Sequence, residues 1–449
     1  MTRAAVVVGL GDTGLSCVPY LLRTGYEVSV CDSRSSPPLM PVMREAYPAV
    51  PVLTGPFRED QLLAADILVV SPGVSLKEPV LKAAARAGVS MVGDIELFAR
   101  TCDAPVIAIT GSNGKSTVTT LVGDMLRKAG LRVEVGGNIG VPALTLLDRP
   151  TPDVYVLELS SFQLETTSSL NARAATVLNV TPDHMDRYDD VAEYAHAKAR
   201  IFAGLGRMVI NREDPLVAAM VRTDREMVSF GLDRPVGHDF GLMTRGSDLW
   251  LAQGKQALMP VADIPLPGRH NLANTLAAFA LAMTLSRDTE AMASAVRAFR
   301  GLAHRTQVVG HRDNVTWIDD SKGTNVGATA AALAGLDGRV VLIAGGDGKG
   351  ADFSALAPIV RDKARAVVLI GRDGPRLAEA LKGSCPLHFA QDMDEAVLIA
   401  QRCARVGDRV LLSPACASFD MFRNYGHRGE VFTAAVQRLI LDPRGGAHG

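Results

Sequence analysis

No two cysteines in this chain have the C-x-x-C spacing of a zinc knuckle or a redox pair. The six present (Cys17, Cys31, Cys102, Cys385, Cys403 and Cys416) are scattered and lie mostly beside apolar residues, which suits reduced thiols in a cytoplasmic protein. Charge of one sign is not in excess either. Lys plus Arg number 47 against 48 Asp plus Glu, so no global charge favours nucleic acid or a membrane surface, and any partner charge must be met locally. No apolar run reaches the ~18 residues of a membrane span, so no membrane insertion is expected. A strand-like segment opens at Ala4 and runs into a glycine turn, leaving no room for a secretory leader. No internal repeat is visible.

What is present is alternation. Short apolar runs ending in Gly or Asp, each followed by a helical pattern, recur along the chain and argue for parallel sheets flanked by helices. A first set covers residues 5–10, 26–32 and 67–71. A second starts near Pro105 and includes residues 154–159 and 175–180; a third covers 316–320, 340–345, 366–371 and 409–413. A length of 449 residues corresponds to roughly three domains. Gly93-Asp94 and Arg300-Gly301 fall between periodic segments, so the expected division is 1–93, 94–300 and 301–449. The Gly-rich tail, residues 443–449, is expected to be disordered.

Residues 106–117 read V-I-A-I-T-G-S-N-G-K-S-T. A phosphate-binding loop after a strand needs backbone N–H groups turned toward phosphate oxygens, a lysine for the outer phosphates and a hydroxyl for Mg²⁺. Gly111, Gly114, Lys115 and Ser116 meet those needs. The general pattern wants a further glycine at the place of Ile109, which is still inside the strand, so this loop is a shortened variant. A triphosphate also needs metal ligands at neighbouring strand ends. Glu158 closes the run Val154-Tyr155-Val156-Leu157, and His184 follows the strand that leads into Asn179-Val180-Thr181-Pro182-Asp183. Alone, the first reads as a strand-end acid paired with a cation and the second as structural; beside the loop they form a phosphate and metal constellation.

Val191, Tyr194, Ala195, Lys198 and Phe202 recur at helical spacing and form a buried stripe. Lys198 on that stripe either snorkels to the surface or is a desolvated amine able to react in its neutral form. Gly9-Leu10-Gly11-Asp12-Thr13-Gly14 fits G-x-G-x-x-G, with Asp32 closing the next strand about 20 residues on. The motif accepts a diphosphate at a strand-to-helix turn; a dinucleotide such as NAD, another nucleotide and a purely structural turn all stay open. Further on, Asp319-Asp320-Ser321-Lys322-Gly323-Thr324-Asn325, Gly345-Gly346-Asp347-Gly348-Lys349-Gly350 and residues 413–420 place lysines and hydroxyls at strand ends, suited to a small anionic substrate or to solvated turns. The expected class is therefore α/β in three domains: a Rossmann-like N-terminal domain, a central P-loop-type ATPase domain with a mostly parallel sheet, and a C-terminal Rossmann-like α/β domain.

From Gly9 to Phe432 these segments resemble the Mur ligase family, ATP-dependent enzymes that build the peptide of bacterial cell-wall precursors. The shortened T-G-S-N-G-K-S-T loop, Gly93-Asp94-Ile95-Glu96-Leu97-Phe98 and Glu158-Leu159-Ser160-Ser161-Phe162-Gln163-Leu164-Glu165 carry much of the likeness. The resemblance implies that the first domain holds the UDP end of UDP-N-acetylmuramoyl-L-alanine rather than NAD. Gly14, Leu15, Ser16, Asp32, Ser33, Arg34, Ser71 and Gly73 match its positions, with Gly137, Asn138, Ser161 and Gln163 from the central domain. ATP would lie on Gly111, Ser112, Asn113, Gly114, Lys115, Ser116 and Thr117, with Asn271 and Asn274 on adenine and Arg305 and Asp320 from the third domain. Two Mg²⁺ sites are implied: Ser116 and Glu158 at one, His184 and a carbamylated Lys198 at the other. Lys115, Glu158, His184, Lys198 and Lys322 are the implied catalytic set, and Thr324, Lys349, Ser418 and Tyr425 the pocket for D-glutamate. Two positions depart from the family pattern: Ala303 stands where proline is usual and Tyr425 where phenylalanine is common. A monomer with small-molecule partners and no nucleic acid is expected. The rival readings are a sibling ligase taking another amino acid, a nicotinamide-dependent dehydrogenase resting on residues 9–32, and a P-loop kinase or ATP-driven module.

Overall fold

Five short valine-rich segments become parallel strands around Gly9. A computed structural model of the chain describes residues 3–441; the tail at 443–449 lies outside the described residues. Strands β1 (Arg3–Val8), β2 (Tyr26–Asp32), β3 (Val52–Thr54), β4 (Ile67–Val70) and β5 (Ser90–Val92) form a sheet of order β3-β2-β1-β4-β5 with every pair parallel. The direction of winding reverses between β1 and β4, and such a switch point leaves a crevice at the carboxyl ends of the strands. Val6, Val8, Leu68 and Val70 project to one face and pack with Leu62, Leu81 and Ala84.

The second sheet has nine strands: β6 (Val106–Thr110), β7 (Val133–Gly137), β8 (Val154–Glu158), β9 (Ala174–Val177), β10 (Arg207–Asn211), β11 (Met227–Phe230), β12 (Phe240–Arg245), β13 (Asp248–Gln253) and β14 (Gln256–Pro260). Their order is β14-β13-β12-β11-β10-β9-β6-β8-β7, parallel from β7 through β12. The pair β12 and β13 is antiparallel. The apolar runs had marked only β6, β8 and β9. The outer meander is half-solvated, and its turns fall at Gly246 and Gly254, where φ is 64° and 53°.

In the third sheet, β15 (Gln307–Arg312), β16 (Val315–Asp319), β17 (Val340–Gly345), β18 (Ala364–Ile370), β19 (Leu387–Phe389) and β20 (Arg409–Leu412) take the order β15-β16-β20-β17-β18-β19. β15 and β16 form a hairpin across Asp313 and Asn314, both at positive φ, and the other pairs are parallel. Period-2 alternation divides its core in two. Val341, Ile343, Val368 and Val410 face the helices Met393–Cys403 and Tyr425–Leu441, while Leu342, Ala344, Val367 and Leu411 face Val326–Gly335 and Ala357–Lys363. The first two sheets belong to one compact unit; the third belongs to another that also takes in residues 181–191 and 260–274. Among the described residues no helix is long and apolar enough to cross a membrane.

Candidate active site

The loop follows β6, an inner strand of the second sheet flanked by β8 and β9. Ile109 is in β6, as the shortened pattern predicts, and the turn is made by residues 111–114 before the helix Lys115–Lys128. Gly114 sits at φ 84°, the left-handed region where a side chain would be strained. Asn179, beyond the end of β9, holds the loop in shape. Its carbonyl accepts from the Ser112 N–H at 2.9 Å, its Oδ1 from the Asn113 N–H at 2.8 Å, and its Nδ2 donates to the Asn113 carbonyl at 3.0 Å. Lys115 Nζ donates to the carbonyls of Gly111 and Ser112 at 2.9 and 3.0 Å, and Ser116 and Thr117 are buried in the first helical turn. The N–H groups and the dipole of a helix start favour an anion there.

Glu158 ends β8 with its side chain buried. Oε1 accepts from Asn138 Nδ2 at 2.8 Å, while Oε2 is buried with no hydrogen-bond partner. The backbone locks the same pair, since the Asn138 N–H donates to the Glu158 carbonyl at 2.8 Å and a Cβ on Gly137 would collide with that oxygen. An orphaned carboxylate oxygen beside a phosphate loop is costly unless a cation completes it, and hard oxygen donors suit Mg²⁺. Lys198 does not snorkel: it is 1 % exposed, its Nζ donates to the Gly111 carbonyl at 2.9 Å, and it lies 4.4 Å from the centre of the Tyr194 ring. Tyr194, Ala195 and Phe202 share its buried face, as the helical spacing predicts, and the Ser112 hydroxyl donates to Tyr194 Oη at 3.3 Å. Among the described residues no three His, Cys, Asp or Glu side chains gather as a ligand set. His184 belongs to the other unit, at φ 59°, with its N–H on Asp183 Oδ1 at 2.9 Å.

The crevice at the carboxyl ends of β1, β2 and β4 is a pocket of about 510 Å³, a size typical of small-molecule sites. Asp32, Ser33, Arg34, Ser71 and Gly73 line it from the first sheet, and Gly137, Asn138 and Gln163 from the second. Gly14, Leu15, Ser16 and Ser161 stand outside the lining. Gly14 serves close packing, because a Cβ there would strike the Gly9 carbonyl and come within 2.7 Å of Ser71 Oγ. Ser16 Oγ donates to the Thr13 carbonyl at 2.7 Å. Asp32 is fully engaged. It accepts from the Leu10 N–H at 2.7 Å, the Arg34 N–H at 2.9 Å, and Arg34 Nε and Nη2 at 2.8 and 2.7 Å. Burial alone would raise its acid, but these bonds outweigh burial and hold it at about 2. A carboxylate offers about four acceptor sites, so none is left here for the ribose hydroxyl of a dinucleotide.

The helix Asp94–Ala99 joins the first sheet to the second and carries two buried acids. Glu96 Oε2 accepts from the N–H groups of Ser168 and Ser169 at 2.7 and 2.9 Å, and Oε1 from Arg100 Nε at 2.9 Å. Burial opposes ionisation, yet those donors hold its acid at about 2 against an ordinary 4.5. A depressed acid contributes stability above its unfolded value and loses it as pH falls through the folded one, here on the order of 3 kcal/mol between pH 4.5 and 2. Glu96→Gln is expected to lower the unfolding free energy at pH 7 by roughly 1–3 kcal/mol, with more than half of that deficit gone at pH 3. Chemical unfolding at both pH values checks this, and an equal deficit at the two would refute the account.

In the other unit, the strand-end loops of the third sheet are tied to one another. Asp347 and Ala417 exchange N–H to carbonyl bonds at 3.0 and 2.8 Å, and the Ala415 N–H donates to Gly323 at 2.8 Å. Arg428, fully buried, donates to the Ser321 carbonyl and hydroxyl at 2.8 and 3.0 Å and to the carbonyls of Cys416 and Ala417 at 3.1 and 3.3 Å. Asp320 Oδ2 accepts from Ser413 Oγ at 2.7 Å and Oδ1 from the Thr306 N–H at 3.1 Å; burial pushes its acid up to about 6, with Arg305 opposing. Lys322 Nζ lies 3.8 Å from the centre of the Tyr425 ring, and Lys349 Nζ is 3.9 Å from Asp183 Oδ1. Ser418 is buried beside Ala417, and the Thr324 N–H donates to Lys322 at 2.8 Å. Asn271 Nδ2 donates to the Pro267 carbonyl at 2.7 Å, with Asn274 Nδ2 3.4 Å from Asn271 Oδ1.

Motif reading missed Asn179 as the clasp of the loop, and Arg428. A signal for the second existed: Arg428 is in helical register with Phe432, Ala435, Val436 and Leu439, all buried.

Within one unit, a glycine turn opening a helix and a pocket at the ends of β1, β2 and β4 are joined by the bond from Asn138, in the pocket wall, to Glu158, an arrangement of the α/β nucleotide-binding class. Comparison with known proteins narrows that class. Residues 3–93 match the Mur ligase MurD-like N-terminal domain, 109–282 the Mur ligase middle domain and 304–416 the Mur ligase glutamate ligase domain. The chain is 51% identical to the UDP-N-acetylmuramoylalanine--D-glutamate ligase of Nitrosococcus oceani over 98% of each chain. It is 53% identical to that of Methylobacillus flagellatus over 97% of each. Among solved structures it shares a fold with the UDP-N-acetylmuramate-alanine ligase MurC of Thermotoga maritima, at TM-score 0.59 and 20% identity over 98% of this chain and 100% of that one. A pseudomurein peptide ligase type C from Methanothermus fervidus gives TM-score 0.59 and 17% identity over the same shares. The chain belongs to the Mur ligase family.

Proposed function

We propose that this chain is an ATP-dependent ligase that joins D-glutamate to UDP-N-acetylmuramoyl-L-alanine, a step in making the bacterial peptidoglycan precursor. The observation that carries the reading is the Asn138 to Glu158 pair, which puts the wall of the nucleotide-sugar pocket against the acid beside the phosphate loop. The full-length identity to ligases of that name supports it.

In this reading residues 1–93 bind the UDP-precursor, 94–300 bind ATP and 301–449 bind the amino acid. The alanyl carboxylate is a poor electrophile. Its oxygen attacks the γ-phosphorus of ATP, the bond to ADP breaks, and an acyl phosphate results. The D-glutamate amine then attacks the carbonyl carbon, gives up a proton to a base or to solvent, and phosphate leaves with the C–O electron pair. Such chemistry is mostly positioning and charge neutralisation. Lys115 and the loop N–H groups hold the outer phosphates; Asn271 and Asn274 meet adenine, with Arg305 and Asp320 from the third domain. Ser116 and Glu158 would hold one Mg²⁺, and His184 and a carbamylated Lys198 are the proposed ligands of a second; when bound, the metal would supply positive charge to offset that of the phosphates. Lys322, Thr324, Lys349, Ser418 and Tyr425 serve the D-glutamate side. The enzyme works as a cytoplasmic monomer.

Phosphate release with ATP, UDP-N-acetylmuramoyl-L-alanine and a panel of D- and L-amino acids tests this. D-glutamate alone is expected to give turnover. Preference for another amino acid would transfer the assignment to a sibling ligase, and release without any amino acid would favour a kinase or ATPase. The engaged Asp32 argues against a dehydrogenase, so NADH fluorescence is expected to stay unchanged on adding the protein.

A further inference from the structure

We infer that Asp94 is a positioning residue for the precursor pocket, fixing the Gln163 carboxamide so that it presents a donor and not an acceptor to the bound sugar-peptide. The inference rests on the functional reading above. Gln163 lines the pocket and is 2 % exposed. Its Oε1 accepts from the Ser160 N–H at 3.1 Å and from Ser160 Oγ at 3.3 Å, closing a capping box at the start of the helix Ser161–Glu165. Its Nε2 donates to Asp94 Oδ2 at 2.9 Å. Turning the amide over would set its oxygen against the Asp94 carboxylate and its NH₂ against the Ser160 N–H, so both contacts would become repulsive. With both oxygen lone pairs used by Ser160 and one Nε2 hydrogen used by Asp94, what remains for a ligand is the second Nε2 hydrogen. That donor matches an acceptor-rich ligand such as a muramoyl carbonyl or hydroxyl oxygen.

The cost of this arrangement points the same way. Asp94 is 1 % exposed and its Oδ1 is buried without a partner, while burial pushes its acid up to about 6 despite the bond from Gln163. A buried acid with one oxygen unmatched is a poor choice for stability alone, but a carboxylate is the strongest acceptor available to orient an amide.

Steady-state phosphate release separates positioning from a structural role. Asp94→Ala is expected to raise KM for UDP-N-acetylmuramoyl-L-alanine about tenfold or more while leaving KM for ATP and kcat within about twofold. Asp94→Asn keeps an acceptor for Nε2 and is expected to restore KM to within about threefold of wild type. In a Gln163→Ala background, Asp94→Ala is expected to add nothing. The double variant Asp94→Asn with Gln163→Glu exchanges the two groups and retains a hydrogen bond between them. It should melt as wild type does yet keep a raised precursor KM, because the pocket then meets an acceptor. That variant decides the matter even where Asp94→Ala does not fold. Wild-type KM in the exchanged pair, equal damage from Asp94→Asn and Asp94→Ala, or a parallel rise in KM for ATP would overturn the inference. Lack of turnover of the UDP-precursor by the wild-type enzyme would instead refute the functional reading itself.

Discussion

Lys115→Ala is expected to lower kcat/KM for ligation by at least about 10³-fold while leaving the affinity for UDP-N-acetylmuramoyl-L-alanine within about twofold. The first half follows from charge. The loop backbone supplies dipoles to a triphosphate, but Lys115 is its one full positive charge, and it already bonds to the Gly111 and Ser112 carbonyls that frame the turn. A cation aimed at developing charge in a water-poor site is worth far more than one at the surface. The second half follows from geometry, because the pocket proposed for the nucleotide-sugar is lined by turns of the first sheet and by Gly137, Asn138, Gly140, Pro142 and Gln163, with Lys115 absent from its walls. Calorimetric titration of the precursor into the variant, without ATP, measures the separation. A matching loss of precursor affinity would mean that the two cradles are one site.

Lys198→Ala is expected to lose roughly 10²–10³-fold in kcat and to recover part of it when formate or acetate is added. The side chain is buried against Gly111 and Tyr194, so its removal leaves a void beside the phosphate loop large enough for a small anion. In the neutral form its amine can add to CO₂, forming an N–C bond and releasing a proton, which converts a cation into an anionic oxygen ligand. An added carboxylate replaces that anion; methylammonium would replace an unmodified lysine. Titrating each additive into the variant distinguishes the two. Recovery with the amine, or none with carboxylate at any concentration, would remove the carbamate from the mechanism.

Local features of the site were legible in the sequence. The phosphate loop is written within a dozen residues, and the direction of Lys198 follows from the period of Val191, Tyr194, Ala195 and Phe202. Short continuous apolar runs likewise announced β17, β18 and β20, buried on both faces. Partners across the fold were not legible. Asn179 clasps Asn113 across 66 positions, Asp94 meets Gln163 across 69, and Arg428 reaches Ser321 across 107. Periodicity says which way a side chain faces, while its partner depends on strand order, which no local pattern encodes. Asp32 shows the limit from the other side. Its spacing from the glycine turn suggested a ribose contact, but Arg34, two residues on and invisible to the motif, saturates it. The meander β12–β14 escaped because a half-solvated edge carries too little apolar signal.

The bond from Asn138 to Glu158 also bears on how such an enzyme could be inhibited. An inhibitor designed wholly within the nucleotide-sugar pocket, offering the Asn138 amide a better acceptor than Glu158 Oε1, would draw that amide away and leave the acid free to swing from its strand-end position. Such a compound would act on the strand-end acid without occupying the ATP cradle, so ATP would not compete with it directly.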